Sequence, residues 1–118
     1  MAELTVYHNP SCSTSKHALA TLTDLGVEHD VVQYLKQPLD RPTLEHLLEI
    51  LEDPPADLVR KDPYFAEFGL DADDYTTSDA VIELLLAHPR LMQRPVLVRG
   101  DRAIIGRPKD RVAEFVDG

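Results

Sequence analysis

The single cysteine of the chain, Cys12, lies two residues after Pro10 in a run of small polar residues, Ser11-Cys12-Ser13-Thr14-Ser15. A cysteine thiolate is a strong nucleophile, and a helix N-terminus favours the thiolate through the helix dipole and free backbone N–H groups. The same N–H groups form a ready binding site for oxyanions. This segment therefore predicts a reactive thiol beside an anion site. A small buried hydrophobe is the alternative interpretation of a lone cysteine.

The cysteine and histidine residues limit the kinds of site that the chain can form. A single cysteine excludes an intramolecular disulfide and a zinc site built from cysteines. His8 lies four residues before Cys12, and two interpretations stay open: its ring tunes the thiol or orients an anion, or it caps and packs at a strand end. We predict no metal site, because ligand spacing is missing from the remaining histidines, His17, His29, His46 and His88.

The segment around Cys12 is predicted to join a strand to a helix. Residues 4–7 form a short strand, and His8-Asn9-Pro10-Ser11 is a turn because asparagine, proline and serine favour turn geometry. A helix starts at Ser13 and ends near Gly26, and a second strand lies within residues 28–34. Strand, helix and strand at this spacing form a βαβ unit with parallel strands, so Cys12 comes at the start of its helix.

Apolar periodicity and turn residues predict the later elements. In chain order these are a helix over residues 40–51, a short helix including residues 58–60, a compact segment over residues 63–75, a helix capped by Ser78 and running to Leu86, a hairpin of residues 96–98 and 103–105 turning through Gly100-Asp101, and a last helix over residues 109–116.

Length and composition predict one domain, residues 1–118. The order of the predicted elements gives it a helical insertion over approximately residues 40–88. Hydrophobic residues make up 43% and charged residues 28%, the balance of a soluble globular protein. The net charge of −9 disfavours nucleic acid and anionic membranes as partners. The apolar runs are too short to span a membrane and residues 1–7 lack a secretion signal, so we expect a cytoplasmic protein.

The segment Tyr7-His8-Asn9-Pro10-Ser11-Cys12-Ser13-Thr14-Ser15 resembles the active-site segment of the glutaredoxin-linked arsenate reductase family, the ArsC-like proteins. The resemblance implies an α/β, thioredoxin-like fold: a mixed four-stranded sheet with flanking helices and a helical insertion between the βαβ unit and the C-terminal hairpin. It covers nearly the whole chain and continues through Tyr34-Leu35, Leu58-Val59-Arg60-Lys61, His88-Pro89, Arg94-Pro95 and Gly106-Arg107-Pro108.

The resemblance assigns substrate binding to three arginines, Arg60, Arg94 and Arg107. Each alone has a simpler interpretation as a solvated surface residue. Three converging guanidinium groups would hold a tetrahedral oxyanion by paired hydrogen bonds and would favour the Cys12 thiolate.

We also assign supporting roles to His8, Ser15 and Pro95. Arg94-Pro95-Val96 is similar to the loop of thioredoxin-like folds in which a cis proline faces the active cysteine, and we therefore predict that Pro95 is cis. The alternative is a trans proline at the start of an edge strand, which is the commoner state of X-Pro bonds.

The function implied by the resemblance is the reduction of arsenate to arsenite through a covalent Cys12-arsenate intermediate. Because the chain has no second cysteine, a diffusible thiol must attack next. The family implies that this cosubstrate is glutathione or a similar thiol and that glutaredoxin supplies the following reducing equivalent. No bound cofactor is expected.

Two other functions on the same fold stay open. The first is a general glutathione-dependent thiol or disulfide reductase, in which the arginines receive a glutathione carboxylate. The second is an Spx-type regulator that binds RNA polymerase. Regulators of that type commonly switch through two cysteines separated by two residues, and here Ser15 occupies the second position.

Overall fold

A computed structural model describes residues 3–117 and contains one mixed β-sheet. Its strands are β1 (Leu4–His8), β2 (His29–Gln33), β3 (Val96–Arg99) and β4 (Arg102–Ile105), arranged in the order β2-β1-β3-β4. Strands β1 and β2 are parallel, whereas β1 with β3 and β3 with β4 are antiparallel. The β3–β4 hairpin turns through Gly100, whose φ of 60° is accessible to glycine without steric cost.

Helices cover both faces of the sheet. Their bounds are α1 (Ser13–Asp24), α2 (Arg41–Ile50), α3 (Pro63–Glu67), α4 (Ser78–Ala87) and α5 (Arg111–Asp117), with 3₁₀ turns at Pro55–Leu58, Ala72–Asp74 and Pro89–Leu91. The mixed sheet with flanking helices, the thioredoxin-like fold predicted above, is confirmed.

Strand alternation divides the core into two apolar clusters, because successive side chains of a strand point to opposite faces of the sheet. One cluster joins the sheet to α1 and α5 and contains Leu4, Val6, Ala18, Leu22, Leu97, Ile104, Val112 and Phe115. The other joins the sheet to α2, α4 and the 3₁₀ turns, and includes Leu44, Leu47, Leu58, Val81, Leu85, Leu91, Val96 and Ile105. Both clusters hold the end of β1 that leads into Cys12.

Two predicted helix boundaries are wrong. Thr77 rather than Ser78 caps α4, since the Thr77 side chain accepts the Ala80 N–H at 3.3 Å. Both residue types make good N-caps, and the sequence does not separate neighbours of this kind. The short helix predicted over residues 58–60 lies earlier, at Pro55–Leu58, because Val59 instead forms a β-bridge with Met92.

The free edge of β4 is covered by the chain that follows α2. Leu51 forms a parallel bridge with Ala103, and the Glu52 N–H donates to the Ala103 carbonyl at 2.9 Å. Beyond it, the Asp53 carboxylate accepts the Ile105 N–H at 2.9 Å. These contacts fix where β4 ends, and so they fix the start of the loop that carries Arg107.

Candidate functional site

Cys12 occupies the N-cap position of α1, with extended backbone at φ −101° and ψ 120°. The turn before it is closed by backbone and side-chain hydrogen bonds: the Cys12 N–H donates to the Asn9 carbonyl at 3.0 Å, and the Ser11 N–H donates to Asn9 Oδ1 at 2.9 Å. The Cys12 side chain is 8% exposed, among polar groups of the turn and the first helical turn. The predicted position of the thiol at a helix N-terminus is confirmed.

Hydrogen bonds and cationic charge favour the thiolate of Cys12. Burial by itself raises the pKa of the thiol and is the largest single influence. The backbone N–H groups of Ser15 and Thr14, the Arg94 side chain and the charge of Arg107 outweigh burial together, and the pKa lies below that of a free thiol. The Arg107 Nη2 lies 3.4 Å from Cys12 Sγ. The sulfur is therefore prepared to act as a nucleophile.

Two of the three predicted arginines converge on Cys12, each from a loop next to a cis proline. The Arg94–Pro95 peptide bond is cis, as predicted, and the Arg107–Pro108 bond is also cis, for which no prediction was made. The two arginines are joined directly, since Arg107 Nε donates to the Arg94 carbonyl oxygen at 2.8 Å. Arg94 Nε is buried and has no hydrogen-bond partner within residues 3–117. An unpaired guanidinium N–H beside a nucleophile is suited to an oxyanion.

The loop that carries Arg107 is set by a glycine at close packing distance. A Cβ added to Gly106 would lie 2.8 Å from Pro95 Cγ and 3.0 Å from Leu97 Cδ1. The Gly106 N–H also donates to the Pro95 carbonyl at 2.8 Å. Only a residue without a side chain allows the Arg107 loop to lie this close to the Arg94–Pro95 loop.

Arg60 does not contact Cys12 Sγ, contrary to the expectation of three converging arginines. Its Nε donates to Asp62 Oδ2 at 3.0 Å, and its Nη1 lies 3.5 Å from Gln93 Oε1. Gln93 Oε1 also accepts the Arg94 N–H at 3.3 Å, so Arg60 borders the site through Gln93. The reason is electrostatic: Asp62, which caps α3, presents a carboxylate two residues from Arg60.

His8 and Ser15 form the framework beneath the Cys12 turn. His8 Nδ1 and Ser15 Oγ are 2.6 Å apart, and Ser15 Oγ also accepts the Asn9 N–H at 3.1 Å. Ser15 is fully buried. Burial, followed by the charge of Lys16, lowers the pKa of His8 and favours its neutral ring. Of the two interpretations of His8, the geometry favours the packed ring at the strand end.

Tyr34 also borders the site, although its residue type and position predicted no role for it. It is 1% exposed at the end of β2, and its hydroxyl donates to the Met92 carbonyl at 3.4 Å. Burial raises the pKa of Tyr34 against the opposing influence of Arg94 and Asn9, so the phenol stays neutral beside Arg94. The family resemblance includes the segment Tyr34-Leu35, but nothing in the local sequence predicts that the Tyr34 hydroxyl lies near Arg94, 60 residues away.

The charges and hydrogen-bond donors around the sulfur suit an anion. Within residues 3–117, no group of three or more histidine, cysteine, aspartate or glutamate side chains is arranged to hold a metal ion. No helix in this part of the chain is long and apolar enough to span a membrane. The positively charged groups at the sulfur are planar guanidinium groups, whose N–H donors can bind two oxygen atoms of an oxyanion at once.

Comparison with known proteins agrees with this geometry. Over 116 residues, 97% of each chain, the sequence is 41% identical to the uncharacterized protein YfgD of Escherichia coli K12. It is 36% identical to an arsenate reductase of the same organism, over 98% of this chain and 82% of the relative. The arsenate reductase structure from Vibrio cholerae aligns with a TM-score of 0.82 and 32% identity, covering 94% of this chain and 95% of its own.

The match to the family model extends from residue 7 to residue 115. It includes the Cys12 turn, the cis-proline loop of Arg94 and the loop of Arg107, the three parts that the fold brings together. The sequence match and the assembled site lead to the same conclusion: this chain belongs to the ArsC family.

Proposed function

We propose that this protein is an oxidoreductase that reduces arsenate to arsenite, with Cys12 as its nucleophile. The observation that carries the proposal is the Arg107 guanidinium 3.4 Å from Cys12 Sγ, with the buried unpaired Nε of Arg94 in the neighbouring loop. The names of relatives over nearly the full chain support arsenate as the substrate.

In the first step the Cys12 thiolate attacks the arsenic atom of arsenate. A sulfur–arsenic bond forms, one arsenic–oxygen bond breaks, and that oxygen leaves as water after taking up protons. The N–H groups of Thr14 and Ser15 and the guanidinium groups of Arg94 and Arg107 offset the negative charge brought by the anion. In this proposal Arg60 acts at the border of the site through Gln93.

A diffusible thiol, glutathione or a similar molecule, then replaces a second oxygen on arsenic, which also leaves as water. The glutaredoxin thiol attacks the sulfur of that bound thiol, and a disulfide forms. The electron pair of the broken arsenic–sulfur bond stays on arsenic, which becomes As(III). Water finally cleaves the bond to Cys12, releasing arsenite and the free thiol. Overall, arsenate and two thiols give arsenite, one disulfide and water, in agreement with a single-cysteine chain.

This scheme includes no resident cofactor, and it requires a reducing compartment that supplies thiols. We therefore place the protein in the cytoplasm, where glutathione keeps thiols reduced. Neither a nucleic acid nor a membrane has a part in the reaction.

The test measures arsenite formation from arsenate with glutathione and glutaredoxin, comparing the wild type with Cys12→Ser. The wild type should turn over and Cys12→Ser should not, whereas Ser11→Ala, an exposed neighbour, should retain activity. Mass spectrometry without thiol should show an arsenate adduct on Cys12. Equal rates in the wild type and Cys12→Ser would refute the proposal, and turnover of a mixed glutathione disulfide but not arsenate would favour a general thiol reductase.

A further inference from the structure

A polar groove of about 380 Å³ lies beside Arg107. Its walls come from the segment after α2, the loop before Pro95 and the start of α5, and they include Asp57, Lys61 and Gln93. Arg107 lines this groove while its Nη2 lies 3.4 Å from Cys12 Sγ. The groove therefore opens on the same guanidinium group that contacts the nucleophile.

One pair of charges in the groove forms a fixed wall. Arg111 Nη1 donates to Asp53 Oδ1 at 2.8 Å and to the Ile105 carbonyl at 2.9 Å, and Asp53 Oδ2 accepts the Ile105 N–H. These groups already have partners within the protein. They shape the groove and leave little capacity for a ligand.

A second pair of charges faces the groove without a partner of opposite charge. Lys61 Nζ donates to the carbonyl oxygens of Ala56 at 2.5 Å and Val59 at 3.4 Å, and both it and Asp57 are exposed. Within residues 3–117 neither side chain forms an ion pair. The groove thus offers one ammonium group and one carboxylate to a ligand.

We propose that this groove binds the reducing thiol, and that its ligand is a small peptide thiol carrying both an ammonium group and carboxylates. The inference rests on the proposed function and adds the location of the second substrate. Lys61 would receive a ligand carboxylate and Asp57 the ligand ammonium group. The volume suits a tripeptide, since pockets of about 300–1,000 Å³ are usual for small ligands.

Local charge supports this assignment. Three cationic side chains and two carboxylates line the groove, so it carries a positive excess on a chain whose net charge is −9. A peptide thiol with two carboxylates and one ammonium group carries the complementary negative excess. A thiol held there reaches the arsenic adduct from the Arg107 side.

The first test measures equilibrium binding of S-methylglutathione, a thioether that cannot react, by ¹H–¹⁵N NMR of the full chain. Shift changes should concentrate at residues 57, 61 and 93. Lys61→Glu replaces an attraction by a repulsion and should raise Kd about tenfold. Lys36→Glu makes the same charge change at an exposed lysine outside the groove and should alter Kd less than about twofold.

The second test separates the two half-reactions. In Lys61→Glu the KM for glutathione should rise about tenfold, while formation of the Cys12-arsenate adduct and turnover with uncharged 2-mercaptoethanol stay at wild-type rates. Shift changes elsewhere, or an unchanged Kd in Lys61→Glu, would overturn the inference even if arsenate is reduced. Groove binding without an arsenate adduct in the wild type would instead refute the proposed function and leave the groove assignment supported.

Discussion

Replacement of Ser15 by alanine should destabilise the fold without removing any group that contacts a substrate. Ser15 Oγ accepts the Asn9 N–H at 3.1 Å and lies 2.6 Å from His8 Nδ1, and the side chain is fully buried. Alanine leaves both of these buried polar groups without their partner. The turn that carries Cys12 is built on them.

The expected cost follows from the number of groups left unpaired. A buried polar group that loses its partner costs about 1–3 kcal/mol, and two such groups give a loss of about 2–6 kcal/mol in the free energy of unfolding. This is a large fraction of the roughly 5–15 kcal/mol that stabilises a typical domain. The change removes only one oxygen atom, so lost apolar packing contributes little.

Urea denaturation followed by circular dichroism measures the effect. The matched control is Ser13→Ala, which removes the same hydroxyl from an exposed position in the first turn of α1 and should change stability by less than about 0.5 kcal/mol. If Ser15→Ala and Ser13→Ala unfold at the same urea concentration, the hydrogen-bonded framework does not stabilise the turn and this reasoning is wrong.

Three further predictions concern charge, pH and packing. Arg107→Lys loses the hydrogen bonds to Cys12 Sγ and to the Arg94 carbonyl, so arsenate turnover should fall about 10²–10³-fold and alkylation of Cys12 should require a higher pH. The exposed control Arg102→Lys should change neither the turnover nor the pH of alkylation, and equal pH profiles in the two variants would contradict the role of Arg107. The pKa of His8 is lowered in the folded state, so the unfolded chain binds more protons and the free energy of unfolding should decline as pH falls below about 6.5. Urea denaturation at several pH values should show a weaker decline in His8→Gln, and an equal decline in the two proteins would exclude His8 as its source. Gly106→Ala places a methyl group 2.8 Å from Pro95 Cγ, so it should lower the free energy of unfolding by about 1–3 kcal/mol in urea denaturation and reduce turnover. A variant as stable as the wild type would show that the two loops move apart without cost.

Local residue preferences are enough to account for the strand, turn and helix around Cys12. Asn9 and Pro10 favour the turn, and the apolar spacing after Ser13 predicts the helix, because these preferences act within a few residues. The position of Cys12 at the helix N-terminus follows from this local order. The family resemblance added the mixed sheet and the cis state of Pro95, both of which the structure confirms.

Local signals were weakest where two nearby residues compete for one role. Thr77 and Ser78 both satisfy the chemistry of an N-cap, and the position at which the helix starts decides between them. Arg60 belongs to the family pattern, yet Asp62 draws its guanidinium group to the border of the site. Arg60 and Asp62 can both be read from the sequence, but the sequence does not show which group a long flexible arginine side chain will contact.

Tertiary structure alone decided which distant groups meet at the sulfur. Arg107 reaches Cys12 across 95 positions of the chain, and Tyr34 reaches the Met92 carbonyl across 58. Such contacts depend on the sheet order and on the close packing of Gly106 against Pro95, which no short stretch of sequence encodes. The physical reason is that secondary-structure preferences are local, whereas the direction of a side chain toward a remote partner is fixed only when the whole core is packed.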